Sequence, residues 1–492
     1  MGPAIWNELS AISYSSSKKN QMKKLITTIL LTLAVIVSFS QSLTVQPKVE
    51  ERTELLSIIF RLAEAREYMN DNIPSYSKEI DEYFAPFKEH EAIKFAIKVR
   101  NTQMVGYDAV MSMAVDVEIT DSIRLRPNLS LSSIDKRWGL ESATEFIKYL
   151  NQFYFDTKFK DFFSKHRALY KVAEERFSEI LKKVDFNWFE KFYGEKPKGN
   201  FNLILSIPNG GGNYGPKIIF NDGKEELYAI IGSCRADSSG LPSYSEGVTS
   251  TVIHEYNHSF CNPLIDANYP SMEASTIKTF KLVKEILTTQ AYGNPKTMNY
   301  EILVRACVIR FYQSNKVNEK LLNYQVLSEK SRGFIWIDKL VEELAKYEKN
   351  RDKYTTLKDF MPKIVQLENS LSPKQIQKDF KAKCPKIITM SIKNNSKNVD
   401  PNTTEITLRF DRPMSIYNNG TTYGKKGKEY SIEFNKNKMA KWNEATKREW
   451  TFDVILKPDR TYSISFPSQF FVDENWYPLD KTYYLDFKTR KK

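Results

Sequence analysis

His254, Glu255 and His258 stand in the order His-Glu-x-x-His inside the stretch Ser250–Leu264, STVIHEYNHSFCNPL. On a helix, residues four apart lie one turn above each other on one face, so two imidazoles placed this way can grip a single zinc ion. The glutamate beside the first histidine then sits where it can take a proton from a water on the metal. The chain holds only four histidines (His90, His166, His254 and His258), which makes this spacing rare by chance. The bland alternative is an amphipathic helix carrying two hydrogen-bonded histidines.

A catalytic zinc takes three protein ligands and keeps a fourth position for water. The extended spacing that would supply a third histidine from the same segment is absent, since positions 261 and 264 are Cys261 and Leu264. This departs from the metzincin pattern. His90 and His166 fall in a separate helical region, so a carboxylate is the expected third ligand, and Asp266, Glu273, Glu285 and Glu301 are the nearby candidates. Glu285 lies beside Lys281 and Lys284, as a solvated ion-paired residue would. Glu273 falls at a helix start, where acids are favoured in any case. Glu301 opens a run that is otherwise nearly all apolar (Ile302, Leu303, Val304, Ala306, Cys307, Val308, Ile309), so its helix should be buried. A buried carboxylate needs a cation or a metal. Arg305, one turn on, would satisfy Glu301 without metal. Zinc would satisfy it as a ligand, with Glu273 and Asp266 as fallbacks.

These residues need elements to hold them, and 492 residues imply more than one core. Hydrophobic content of 41% with 13% aromatics is that of a globular chain. The net charge of +13 is spread over interleaved lysines and glutamates, with dense basic runs only at Lys425–Lys428 and Lys488–Lys492, so no nucleic-acid partner is expected. From Met22 the chain reads MKKLITTILLTLAVIVSFSQS: a basic start, an apolar run over Leu25–Val37, and small residues before Gln41. This predicts a signal peptide over 22–40, with 1–21 an upstream extension, and a secreted, periplasmic or cell-surface product. Loss of Glu8, Lys18, Lys19, Lys23 and Lys24 with it leaves a net charge of +10. Cys234, Cys261, Cys307 and Cys384 form no CxxC pair, which disfavours a cysteine zinc site. A disulfide is permitted in an oxidising compartment, without a pairing that the sequence can choose.

Residues 43–198 read as mostly helical, with helices over Val49–Met69, Ile80–Phe87, Ala92–Val99, Ala143–Phe155, Phe159–Lys165 and Ala168–Val184, and strand or loop at Tyr107–Asp121. The pattern changes at Gly199. Phe201–Ile207, Lys217–Phe220 and Glu226–Ile231 predict two or three antiparallel strands joined by glycine turns, with Pro208–Pro216 either a flexible hairpin or a loop at the edge of the cleft. Ser243 or Ser245 could cap the histidine helix. Helices follow over Thr276–Gln290, Tyr300–Phe311 and Leu321–Leu367, the last with breaks expected at Gly333 and Pro362, and then Ser372–Phe380. From Lys386 the period becomes two, with strands over Ile387–Ile392, Glu405–Phe410, Tyr430–Phe434, Arg448–Leu456, Thr461–Phe466 and Thr482–Phe487, which predicts a β-sandwich over 384–492. The expected class is α+β: a helical N-terminal region, a zincin-like domain at 199–383 with a small antiparallel sheet plus helices, and the sandwich.

Val399-Asp400-Pro401, followed by Ile406 to Met414 (ITLRFDRPM), resembles the first hairpin of bacterial Ig-like domains, which implies a surface or spacer module with cell-surface or glycan contacts. Strands, a His-Glu-x-x-His helix and a later glutamate-bearing helix resemble the gluzincin metallopeptidases of thermolysin-like architecture. That resemblance implies His254, His258 and Glu301 as zinc ligands and Glu255 as general base. The acidic residue those enzymes carry four positions after the ligand glutamate is here Arg305. Residues 43–380 also resemble an uncharacterised family of secreted bacterial proteins with the same motif. The expected function is a zinc-dependent peptidase acting on peptides or proteins, with Tyr292, Tyr300 or Arg305 as oxyanion donor and the strand Glu226–Ile231 able to pair with extended peptide. The rivals are a non-catalytic zinc-containing surface binding protein and a zinc hydrolase of cell-wall amides.

Overall fold

Two strands carry near-continuous apolar runs, Leu203–Leu205 and Leu227–Ile231, all buried. Such runs suit strands covered on both faces, the usual setting of parallel pairing. In the computed structural model, which describes residues 45–491 apart from 183, 246, 418 and 435–439, they lie parallel at the centre of a five-stranded sheet. The strands are β1 (Pro47–Val49), β2 (Gly199–Leu205), β3 (Asn213–Tyr214), β4 (Lys217–Ile219) and β5 (Glu225–Ile231). β2 pairs with β5 from Gly199 opposite Glu225 to Leu205 opposite Ile231. β1 joins the outer edge of β2, also in parallel. β3 and β4 run antiparallel along the other edge of β5. The sheet is therefore mixed and not wholly antiparallel. Only the β4–β5 hairpin, turning at Asn221–Gly223 with Gly223 at φ +81°, has the expected sense.

β1 ties the helical region before residue 199 into the sheet after it, so the division expected at 198/199 runs through that sheet. Residues Gln46–Val184 and Phe189–Lys492 fall into one compact unit. Helix Glu51–Leu62 is buried from Thr53 to Leu62, and Glu54 accepts hydrogen bonds from the Ile207 amide (3.0 Å) and the Tyr76 hydroxyl (2.8 Å). The segment expected as strand or loop at Tyr107–Asp121 is a helix, Asp108–Asp116, followed by a short strand, Val117–Ile119. Its alanines and methionines, in DAVMSMA, favour a helix once it is packed. The expected signal peptide and upstream extension lie outside the described residues. No helix among the described residues is long and apolar enough to cross a membrane.

Between the sheet and the C-terminal strands this unit is helical: α1 (Val248–Asn268), α2 (Glu273–Thr288), α3 (Pro295–Ser314), α4 (Glu319–Ser331), α5 (Ile337–Lys349), α6 (Leu357–Ser370) and α7 (Pro373–Lys383). α3 sits at the centre, packed against α1, α2, α4 and α5. Its apolar sequence is buried on nearly every side, from Met298 to Tyr312. Asn294 caps it, accepting from the Thr297 amide at 2.9 Å, and Pro295 starts it. α1 has Gly247 at its N-cap and no side-chain cap, so neither Ser243 nor Ser245 fills that role. Gly333, at φ +108°, separates α4 from α5 as expected. Pro362 lies inside α6; the break falls instead before Thr356, whose reciprocal capping box with Asp359 starts the helix.

The C-terminal strands form two facing sheets. One holds β6 (Ile387–Met390), β8 (Glu405–Phe410), β12 (Glu449–Ile455) and β10 (Glu433–Phe434) in that order, with β11 (Lys441–Trp442) also on β12. The other holds β7 (Ser396–Val399), β14 (Tyr483–Thr489), β13 (Thr461–Phe466) and β9 (Thr422–Tyr423). Leu408, Phe410, Trp450 and Phe452 of the first meet Ile464, Phe466, Leu485 and Phe487 of the second in one core. The class is α+β, as the patterning predicts.

Candidate metal centre

α1 and α3 pack side by side, and their facing residues converge. His254 and His258 come from α1 and Glu301 from α3. The two Nε2 atoms lie 3.1 Å apart. Glu301 Oε2 is 3.5 Å from His254 Nε2, and its Oε1 is 3.5 Å from His258 Nε2. A tetrahedral zinc with ligands at about 2.0–2.1 Å separates its ligand atoms by about 3.3 Å. The two nitrogens and the carboxylate oxygen that faces each of them stand near that separation, and two imidazoles with one carboxylate suit zinc chemically. Burial holds the His254 pKa well below its ordinary value, aided by the charge of Arg305 and by His258, so this ring is neutral with a lone pair to give.

The supporting contacts fix these side chains. Asn262, one turn after His258, places Oδ1 3.2 Å from His258 Nδ1, which assigns the proton to Nδ1 and leaves Nε2 free to ligate. Arg305 is buried and donates to Glu301 Oε2 at 2.9 Å, to Glu329 Oε2 at 2.7 Å and to the Tyr292 hydroxyl at 2.9 Å. Its guanidinium also lies over the ring of Phe334, 4.9 Å from the centroid. Burial pulls the Arg305 pKa down, but Glu329 and Glu301 more than offset this, and it stays charged. Of the two partners named for Glu301 from the sequence, Arg305 is in place, and the carboxylate is also set where a metal could bind. Arg305 holds one carboxylate oxygen while the carboxylate faces both imidazoles. Asn262 and Glu329 were not singled out from the sequence. The spacing His258–Asn262 carries a signal for the first; Glu329 sits on a separate helix and carries none.

Glu255 is 6% exposed, and no hydrogen bond to its carboxylate is present among the described residues. Burial, with the charge of Glu301, pushes its pKa well above the usual carboxylate range. The glycine loop reaches the same helix: a Cβ on Gly215 would fall 2.2 Å from the Glu255 carbonyl oxygen, so only glycine fits there. Tyr214, just before it, has its pKa raised by burial and by Glu67, Asp108 and Glu255 in turn.

The other candidates go elsewhere. Asp266 is exposed and bound by Lys296 and the Tyr300 hydroxyl, and Glu273 and Glu285 are exposed; none joins the cluster. His90 caps helix Glu91–Gln103 by accepting from the Ala92 amide at 3.1 Å. His166 lies 2.8 Å from the Phe162 carbonyl and 3.1 Å from Glu79. Of the three named oxyanion donors, Tyr300 is engaged by Asp266, and Arg305 spends its contacts on Glu301, Glu329 and Tyr292. Tyr292 accepts from Arg305 and has no acceptor for its own hydrogen among the described residues. The strand Glu226–Ile231 cannot pair with peptide, because β5 has neighbours on both edges.

A family model described as a domain of unknown function, DUF4932, matches residues 43–367. No curated protein matches the chain. Among solved structures, CopC from Methylosinus trichosporium OB3b is similar at 15% identity, over 22% of this chain and 94% of that one, with a TM-score of 0.17. The surface layer protein SbsC, domains 1–6, is similar at 13% identity, over 50% of this chain and 34% of that one, also at 0.17. Scores this low carry no argument.

Proposed function

We propose that this chain, which belongs to the DUF4932 family, is an exported zinc-dependent metallopeptidase. One observation carries the reading: the Nε2 atoms of His254 and His258 lie 3.1 Å apart, each 3.5 Å from one oxygen of the Glu301 carboxylate, and an unpaired, buried Glu255 stands on the same helix. A zinc ion held there supplies Lewis acidity that brings the pKa of water in its open position to about 7.

The remaining steps fall to the protein's own residues. Glu255 accepts the proton of the attacking water and passes it to the leaving amine. Tyr292 donates its free hydrogen to the peptide oxygen as negative charge develops, and Arg305, hydrogen-bonded to the same hydroxyl, polarises it. Asn262 orients His258, and Arg305 with Glu329 orients Glu301. The backbone of the 208–216 loop, pressed onto α1 at Gly215, lines the cleft beside Glu255. The C-terminal sandwich acts as a surface or spacer module.

The test is zinc content and cleavage of a peptide library by the full chain, with His258→Ala and Glu301→Ala alongside. One zinc per wild-type chain, lost in both variants together with cleavage, is expected. Zinc without cleavage of any peptide would favour a surface binding protein or a hydrolase of cell-wall amides.

A further inference from the structure

We propose that Cys261 and Cys307 form a disulfide that ties together the two helices bearing the metal-site residues. Cys261 lies on α1, three residues after His258, and Cys307 on α3, six residues after Glu301. Their sulfurs are 3.8 Å apart, and both residues are wholly buried where the two helices meet. Closure to the bonded separation of about 2.05 Å takes side-chain rotation between helices already in contact. Cys234 and Cys384 are also buried, and neither has another cysteine sulfur in contact among the described residues. The fold thus selects a single pair from the four.

The inference rests on the reading of the chain as exported, because the oxidant is a protein or small-molecule disulfide of an oxidising compartment. One cysteine thiolate attacks a sulfur of that oxidant, giving a mixed disulfide and releasing one oxidant thiol. The second cysteine thiolate then attacks the mixed bond, forming Cys261–Cys307 and releasing the other oxidant thiol. The chain loses two electrons and two protons, and the oxidant gains them. Burial sets the timing: the exchange takes place while α1 and α3 are still accessible, and the finished bond is then shielded from reductants. The Tyr193 hydroxyl, 3.2 Å from the Cys261 sulfur, packs the bond on one side.

The consequence concerns the site above it. The two histidines and Glu301 come from helices separated by the 26 residues of 269–294. A bond one to two turns below the ligands fixes the register of those helices whether or not metal is bound, so the site is built before the ion arrives.

The full chain is produced with export to an oxidising compartment, denatured without reductant, alkylated and mapped by mass spectrometry. The expected result is alkylated Cys234 and Cys384, with the peptides of Cys261 and Cys307 joined. Quantitative alkylation of Cys261 and Cys307 in chain that binds zinc overturns the proposal. Wild type reduced while unfolded in denaturant and refolded under reductant should melt several degrees below the oxidised wild type, and the same treatment should leave the paired Cys261→Val/Cys307→Val chain unmoved; equal shifts in both also overturn it. The N-terminal mass, read from the same sample, reports whether residues 1–40 are removed, so failure of the export reading and failure of the pairing are separate results.

Discussion

Arg305 offers the sharpest test of how the centre is held. It sits between two buried carboxylates, Glu301 at 2.9 Å and Glu329 at 2.7 Å, and all three residues are 6% exposed or less. Each pairing is worth about 4 kcal/mol of Coulomb energy at an effective dielectric of 20, much of it offset by burying the charges. Arg305→Met keeps the bulk of the stem and removes the cation, leaving two negative charges in the protein interior. Removal of one partner from such a cluster costs about 3–5 kcal/mol. The metal-free variant should therefore unfold in urea with that loss of stability. Two compensations should restore part of it: saturating zinc, which supplies a positive charge to Glu301, and Glu329→Gln, which deletes the second stranded carboxylate. Urea melts of the four chains, wild type, each single variant and the double, with and without zinc, give the coupling energy directly. A loss below about 1 kcal/mol, or no rescue by either route, would refute the placement of these charges.

Three further outcomes follow from particular contacts. Asn262→Ala removes the acceptor on His258 Nδ1 and should weaken zinc affinity by about 10–100-fold in a chelator competition while leaving the fold intact. Tyr292→Phe should lower kcat on a peptide substrate by about 10²-fold with little change in zinc content; an unchanged kcat would remove Tyr292 from the reaction. Glu54 is wholly buried, and burial raises its pKa from 4.5 to about 8. The folded state thus keeps a proton that the unfolded state releases, so this group's contribution is complete below pH 4.5 and is lost as pH rises through 8, at about 1.4 kcal/mol per pH unit. Glu54→Gln should flatten the fall in thermal midpoint between pH 5 and 8, and identical slopes would contradict the assignment.

The histidine helix was legible because its chemistry is local: His254, Glu255 and His258 are fixed relative to one another by helical geometry alone. Glu301 could be narrowed down because a carboxylate opening an apolar run is expensive to bury without a partner. The sequence could not decide between Arg305 and a metal as that partner, since side-chain direction on α3 depends on which helices surround it. The fold supplies Arg305, leaves the carboxylate facing two imidazoles, and adds Glu329 from α4, a contact with no sequence signature. The sense of the sheet is hidden in the sequence for a related reason. Apolar runs such as Leu227–Ile231 fit buried strands of either sense, and the glycine turn at Asn221–Gly223 suggested hairpins throughout. The parallel β2–β5 pair comes from the long excursion through β3 and β4, which crosses to the far edge before returning. That excursion makes β5 central and takes away its role as a peptide-binding edge. Strand spacing in the C-terminal region is more legible, because alternation in Glu405–Phe410 reports one buried face directly.

The most direct measurement of the central claim compares wild type with Glu255→Gln for bound zinc and for peptide hydrolysis in the same preparations. Glu255 touches no ligand atom of the His254–His258–Glu301 triangle, so the variant should hold one zinc per chain as tightly as wild type while its hydrolysis falls by at least about 10²-fold. Full hydrolysis by a zinc-loaded Glu255→Gln chain would contradict the account.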